Sequence, residues 1–148
     1  MKDTNQVFFG QSIASWIDMI HTHLSKQYQM SKLHITPGKF GYESYIYVVH
    51  DILSNVSSQD ILRSMRGDID MDKFVEIVHT AWIKNYVLWK NDHSKDQSVI
   101  SVARDNKATT QAKNLTSNEQ GMYRDLVAII FDILSSRILE LGMQQLTV

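Results

Sequence analysis

The chain has 148 residues and a mass of 17.1 kDa, with 43% apolar and 21% charged residues and a formal net charge of −1. That size suits one compact domain, and the balance excludes wholesale disorder, a collagen-like repeat and a coiled-coil rod. The lack of cysteine excludes a disulfide framework, cysteine-ligated metal and thiol nucleophiles, so hydrolytic or metal chemistry would fall to His, Asp, Glu, Ser or Tyr.

One proline and six glycines leave few breakers, and apolar residues recur at helical spacing. The expectation is an all-α chain: a single helical bundle over residues 1–148, of about five helices. The first helix is predicted from Gln11-Ser12 to about Met30, with Ile13, Trp16, Ile17, Ile20, Leu24 and Tyr28 on one stripe. Lys32 to Gly41 holds the proline and two glycines and reads as a loop. A second helix is predicted from Tyr42 to about Asn55. Its apolar surface, Tyr45, Ile46, Val48, Val49, Ile52 and Leu53, is wide enough to be central, and a strand over 45–49 is its local alternative.

Ser57 followed by Asp60 predicts an N-cap for a short helix from Ser58 to Arg66, ended by Gly67. Asp70 or Asp68 then caps a longer helix to about Asn91, with Phe74, Val78, Ala81, Trp82, Leu88 and Trp89 in helical register. Residues 92–117 are polar and read as a flexible loop, or as one carrying a short helix around Val99–Asn106. Thr116-Ser117-Asn118-Glu119 is a capping-box pattern opening a last helix that Gly142 is expected to end. Its apolar residues, Met122 to Leu141, cover more than half the circumference, which implies a helix at the bundle centre or one shared with a second subunit.

The longest apolar run, Leu126 to Phe131, is closed by Asp132 and falls far short of the roughly 20 residues that span a bilayer. No transmembrane segment is expected. Met1 to Gln6 lacks the apolar core of a secretory signal, so a cytoplasmic, intracellular location is expected.

Within the second helix, Tyr45-Ile46-Tyr47-Val48-Val49-His50-Asp51-Ile52-Leu53 resembles the doublet region of the HD-type metal-dependent phosphohydrolases. In that all-helical superfamily an earlier His, the His-Asp pair and a later Asp bind divalent metal. The resemblance implies a ligand set of His21 or His23, His50, Asp51, and Asp125 or Asp132, with metal-activated water attacking a phosphoester. Set against it, adjacent side chains on a regular helix diverge by about 100°, and the bland reading has His50 capping carbonyls and Asp51 facing solvent.

Arg66-Gly67-Asp68-Ile69-Asp70-Met71-Asp72-Lys73-Phe74 resembles the closing half of an EF-hand loop entering its exit helix. The calcium chemistry does not follow. One register puts Leu62, Ser64 and Arg66 at early ligand positions and Lys73 at the bidentate glutamate; the other puts Lys73 at the turn glycine and His79 at the glutamate. The aspartates are therefore read as helix-cap charges. His21 and His23 lie two apart and cannot share a helix face, and His79, a turn from Phe74, Val75 and Trp82, reads as a core-edge histidine.

Trp82, Tyr86 and Trp89 fall at i, i+4 and i+7, with Asn85 interspersed, and form either core or a partner-binding row. Together with the broad second and last helices they present more apolar face than the chain is expected to cover. The leading expectation is therefore a non-enzymatic protein-interaction or homo-oligomerisation module without a cofactor. Its partner-binding residues would be Trp82, Tyr86, Trp89, Ile130, Leu134 and Ile138. The alternative is the HD-type phosphohydrolase, with metal at His21, His50, Asp51 and Asp125. Third is weak nucleic-acid binding: formal charge runs −2, +3 and −2 over 1–83, 84–113 and 114–148, and Lys95, Arg104, Lys107 and Lys113 would carry it.

Overall fold

The structure of the chain is a computed structural model describing residues 3–28 and 36–146. Its elements are a small hairpin, β1 (Val7–Phe8) and β2 (Gln11–Ser12), followed by α1 (Ile13–Tyr28), α2 (Phe40–Asn55), α3 (Ser58–Met65), α4 (Met71–Asn91), α5 (Val102–Thr109) and α6 (Ser117–Leu146). The all-α expectation is met, with the end of the first helix near Met30 lying outside the described residues. Among those residues no helix is long and apolar enough to cross a membrane.

The hairpin lies where the sequence reading placed no strand: Gln11–Ser12, expected to open the first helix, form β2, and α1 starts at Ile13. The antiparallel pairing joins Val7 to Ser12 and Phe8 to Gln11, and the two-residue turn puts Phe9 at φ 50 and Gly10 at φ 81. Positive φ at both positions matches the strand twist, but Phe-Gly is not among the usual turn signatures. Tertiary bonds hold it: the Trp16 indole donates to the Phe8 carbonyl at 3.1 Å, and Arg137 Nε to the Phe9 carbonyl at 3.3 Å.

α2 is helical throughout, including residues 45–49, where β-forming side chains left a strand open. Burial on all sides outweighs that propensity: Ile46, Val48, Val49, Ile52 and Leu53 are all enclosed in the core. Ser57 accepts from the Asp60 backbone while Asp60 accepts from the Ser57 backbone, closing the capping box of α3. Burial raises the Asp60 carboxyl pKa, but its bonds from Ser57 and Lys73 outweigh this and hold it below the usual carboxylate value. The aspartates of the EF-hand-like stretch act in local structure: Asp70 caps α4, and Asp68 binds Arg63 at 3.1 Å.

α2 and α4 make the most extensive helix pair, and they run antiparallel, since Glu43 at the start of α2 meets Trp89 at the end of α4. α6 packs against α1, α3 and α4, which explains its broad apolar surface. Three neighbouring helices enclose it, and Val127, Ile130 and Leu134 are fully buried. The helix also continues through Gly142 to Leu146, a correction to the expected stop, because a glycine costs a helix about 1 kcal/mol without breaking it. Residues 92–117 carry α5 between two 3₁₀ turns, Gln97–Val99 and Ala112–Asn114, with Ser101 capping α5.

Glu43 is only 4% exposed, and its carboxylate accepts from Trp89 Nε1 at 2.7 Å and from Lys95 Nζ at 3.0 Å. Trp89→Phe keeps most of the ring volume but leaves a buried charge short of a donor, and should cost about 1–3 kcal/mol in urea unfolding. Ser57→Ala, which breaks only the α3 cap, should cost about 1 kcal/mol in the same measurement.

Candidate functional site

Trp82, Tyr86 and Trp89 share one face of α4, and that face looks inward. Their exposures are 9%, 1% and 3%. Phe40, at the start of α2, stands edge-on to all three rings at centroid distances of 6.1, 6.1 and 5.5 Å, and Trp82 stacks on Tyr86 at 5.1 Å. Asn85 lies within the row and binds the Phe40 carbonyl and Ser44 Oγ through its amide nitrogen, while its Oδ1 is buried with no hydrogen-bond partner.

The polar connector covers this row. Asp105 of α5 accepts from the Tyr86 hydroxyl at 2.8 Å and from Lys90 at 2.9 Å, and both bonds hold its carboxyl below the usual range. Arg104 lies over the Phe40 ring and donates to the Val99 carbonyl at 2.8 Å. Lys95 is committed to Glu43. Of the four cations expected to meet phosphates, Lys95 and Arg104 are thus used within the chain, Lys113 is exposed, and Lys107 turns inward over Trp82 at 4.3 Å and Tyr123 at 5.0 Å.

Where α1, α2, α4, α5 and α6 approach one another, the packing leaves a part-open cavity of about 230 Å³. Leu24, Tyr45, Val48, Val78, Trp82 and Leu126 make much of its apolar wall, and Lys107 and Glu119 are its charged lining groups. Burial pushes the Tyr45 hydroxyl up to about 12 and the Lys107 ammonium below its ordinary value; Glu119 opposes the latter shift and Arg104 adds to it. Tyr123 is raised by burial and then by Glu119. Glu119 itself is engaged in the α6 cap, accepting from Thr116 Oγ1 at 2.8 Å.

The phosphohydrolase residues are not brought together. His50 Nδ1 lies 3.0 Å from Asp51 Oδ1, and Asp51 Oδ2 accepts from Lys84 at 2.9 Å, so the doublet is tied into the α2–α4 contact. His21 contacts Ser25 on its own helix at 3.2 Å. Among the described residues no three His, Asp or Glu side chains could hold a metal ion together, and His21, His50, Asp51 and Asp125 do not form such a group. Of the remaining partner-binding candidates, Ile130 and Leu134 are fully buried and Ile138 packs against the core.

Sequence reasoning did not assign roles to Phe40, Glu43 or Tyr123, and it gave Lys107 an outward, phosphate-facing role in place of the inward one over Trp82 and Tyr123. A usable signal existed for Glu43 and Asn85, since each is a polar residue on a face otherwise apolar at helical spacing. Comparison with protein-family models, curated proteins and solved structures finds no match, so the site rests on its own geometry.

His79 does not line this cavity but stacks beside Trp82 at 6.3 Å, with Nε2 2.7 Å from the Thr110 carbonyl and Nδ1 3.2 Å from the Tyr123 hydroxyl. Burial first, and then Lys107, depresses its pKa below 6.5, against the opposing bond to Thr110. The folded state therefore binds fewer protons than the unfolded state just below that value. The contribution is present above about pH 6.5 and is lost as pH falls through the folded pKa. Urea midpoints measured between pH 7.5 and pH 5 should fall, and His79→Gln should flatten that slope relative to the parent.

Proposed function

We propose that the chain is a non-catalytic helical binding module whose working part is the cavity beside Trp82. The observation that carries this reading is a part-open, mainly apolar hollow of about 230 Å³ left where α1, α2, α4, α5 and α6 meet. An apolar hollow forfeits dispersion contacts along its lining, and an occupant restores them. The volume lies just below the roughly 300–1,000 Å³ of sites for drug-sized molecules, so a small occupant suits it. Saturating octanol should raise the thermal midpoint by about 5–10 °C, as mass action predicts for a ligand held only by the folded chain. Val78→Phe, which fills the hollow, should abolish the rise while keeping the helical circular dichroism. An unchanged midpoint in the parent protein would count against the reading.

Self-association stands as a second reading, on a surface other than the one the sequence suggested. Trp89, Ile130 and Leu134 are spent inside the subunit, whereas Leu62 (54% exposed), Met65 (44%) and Leu139 (62%) lie exposed on α3 and α6, which pack against each other. Apolar side chains of this size on adjoining helices favour a contact with a second copy. Sedimentation equilibrium should show a concentration-dependent mass that Leu62→Lys with Leu139→Lys reduces to the monomer. A parent chain that stays monomeric at millimolar concentration sinks this second reading.

A further inference from the structure

Lys107 differs from the other cations of its neighbourhood. Lys90 pairs with Asp105 at 2.9 Å, Lys95 with Glu43 at 3.0 Å, and Arg104 donates to a carbonyl. Among the described residues Lys107 has neither a carboxylate within 4.0 Å nor a side-chain hydrogen-bond acceptor, and it is held over two aromatic faces in the lining of the cavity. A half-buried ammonium in that setting has given up water, and the rings replace only part of that solvation.

We propose that the cavity takes a small apolar carboxylate, such as a medium-chain fatty acid, with its hydrocarbon against Val48, Val78, Trp82 and Leu126 and its carboxylate on the Lys107 ammonium. This rests on the cavity being a ligand site, as argued above. The charge pattern selects the ligand class. Lys107 is the cation lining the hollow, Arg104 lies near enough to act on it, and Glu119 supplies an opposing charge. That net field suits one negative charge and is weak for a phosphate dianion, which is usually met by several donors or a bidentate arginine. The mainly apolar wall in turn suits a chain or ring in preference to a polar metabolite. Glu119 is occupied by the Thr116 cap, so it tempers the field without closing an ion pair on Lys107.

The test is calorimetric titration of the full chain with octanoate, octanol and octylammonium, repeated on Lys107→Met and Glu119→Gln. Octanoate should bind about tenfold more tightly than octanol, the factor expected for one partly buried charge pair, and octylammonium should bind most weakly. Lys107→Met should remove the preference for octanoate over octanol, with unaltered circular dichroism showing that the fold survives. Glu119→Gln preserves the cap chemistry and should tighten octanoate a few-fold relative to octanol. If octanol and octanoate bind equally to the parent and to Lys107→Met, the anion assignment is overturned while the cavity reading stands. If none of the three binds, both fall.

Discussion

A carboxylate taken out of water at the start of α2 organises this molecule. Glu43 is almost wholly enclosed, and a buried charge is tolerated only where donors are held in place for it. Here the donors come from two other parts of the chain, the indole of Trp89 near the end of α4 and the ammonium of Lys95 in the connector. Satisfying Glu43 thus fixes the register of the central antiparallel helix pair and the point from which the connector must turn back. Asp51–Lys84 repeats the device between α2 and α4, and Asp60–Lys73 ties α3 to α4 in the same way, each joining a largely enclosed carboxylate to a more exposed lysine. In this register Phe40 lies against the α4 aromatic row, and the hollow beside Trp82 opens between the helices.

The connector resolves the apparent excess of apolar surface. Its own composition is polar, yet Asp105, Arg104 and Lys107 reach the aromatic row through charge-assisted, cation–π and packing contacts. Long cationic side chains can cover aromatic surface while keeping their charged ends polar, so a polar segment serves as a roof. α6 disposes of its share differently, by lying among three other helices. The surfaces that sequence periodicity assigned to a partner are largely those the chain closes on itself, and the large apolar side chains left outside are scattered over β1, α3, α4, α5 and α6.

The roof is not charge-neutral in detail, and the imbalance gives the cavity its chemical character. Asp105 and Glu43 each collect two donors, while Lys107 stands over ring faces with Glu119 engaged elsewhere. Hydrocarbon walls with a single under-satisfied cation form a different environment from the paired charges on the outer faces. His79 and Tyr123 hold each other behind the same wall, so the protonation state of the region is coupled to its packing.

Local rules, acting within one turn of helix or one cap, made much of the fold legible in advance. The stripe from Ile13 to Leu24, the Ser57–Asp60 box, the Asp70 cap and the Thr116–Glu119 box depend on neighbours a few residues apart, so the chain alone determined an all-α domain and most helix starts. The hairpin, the helix at 45–49 and the continuation through Gly142 were decided by partners distant in sequence or by costs too small to end a helix. The site belongs wholly to that second class. Periodicity can say that Trp82 and Trp89 share a face but not which face meets water, because that depends on where residues 92–117 return. Only the tertiary arrangement turned Lys107 inward and left His50-Asp51 without a third metal-ligating side chain among the described residues, since both outcomes rest on contacts between elements separated by tens of residues.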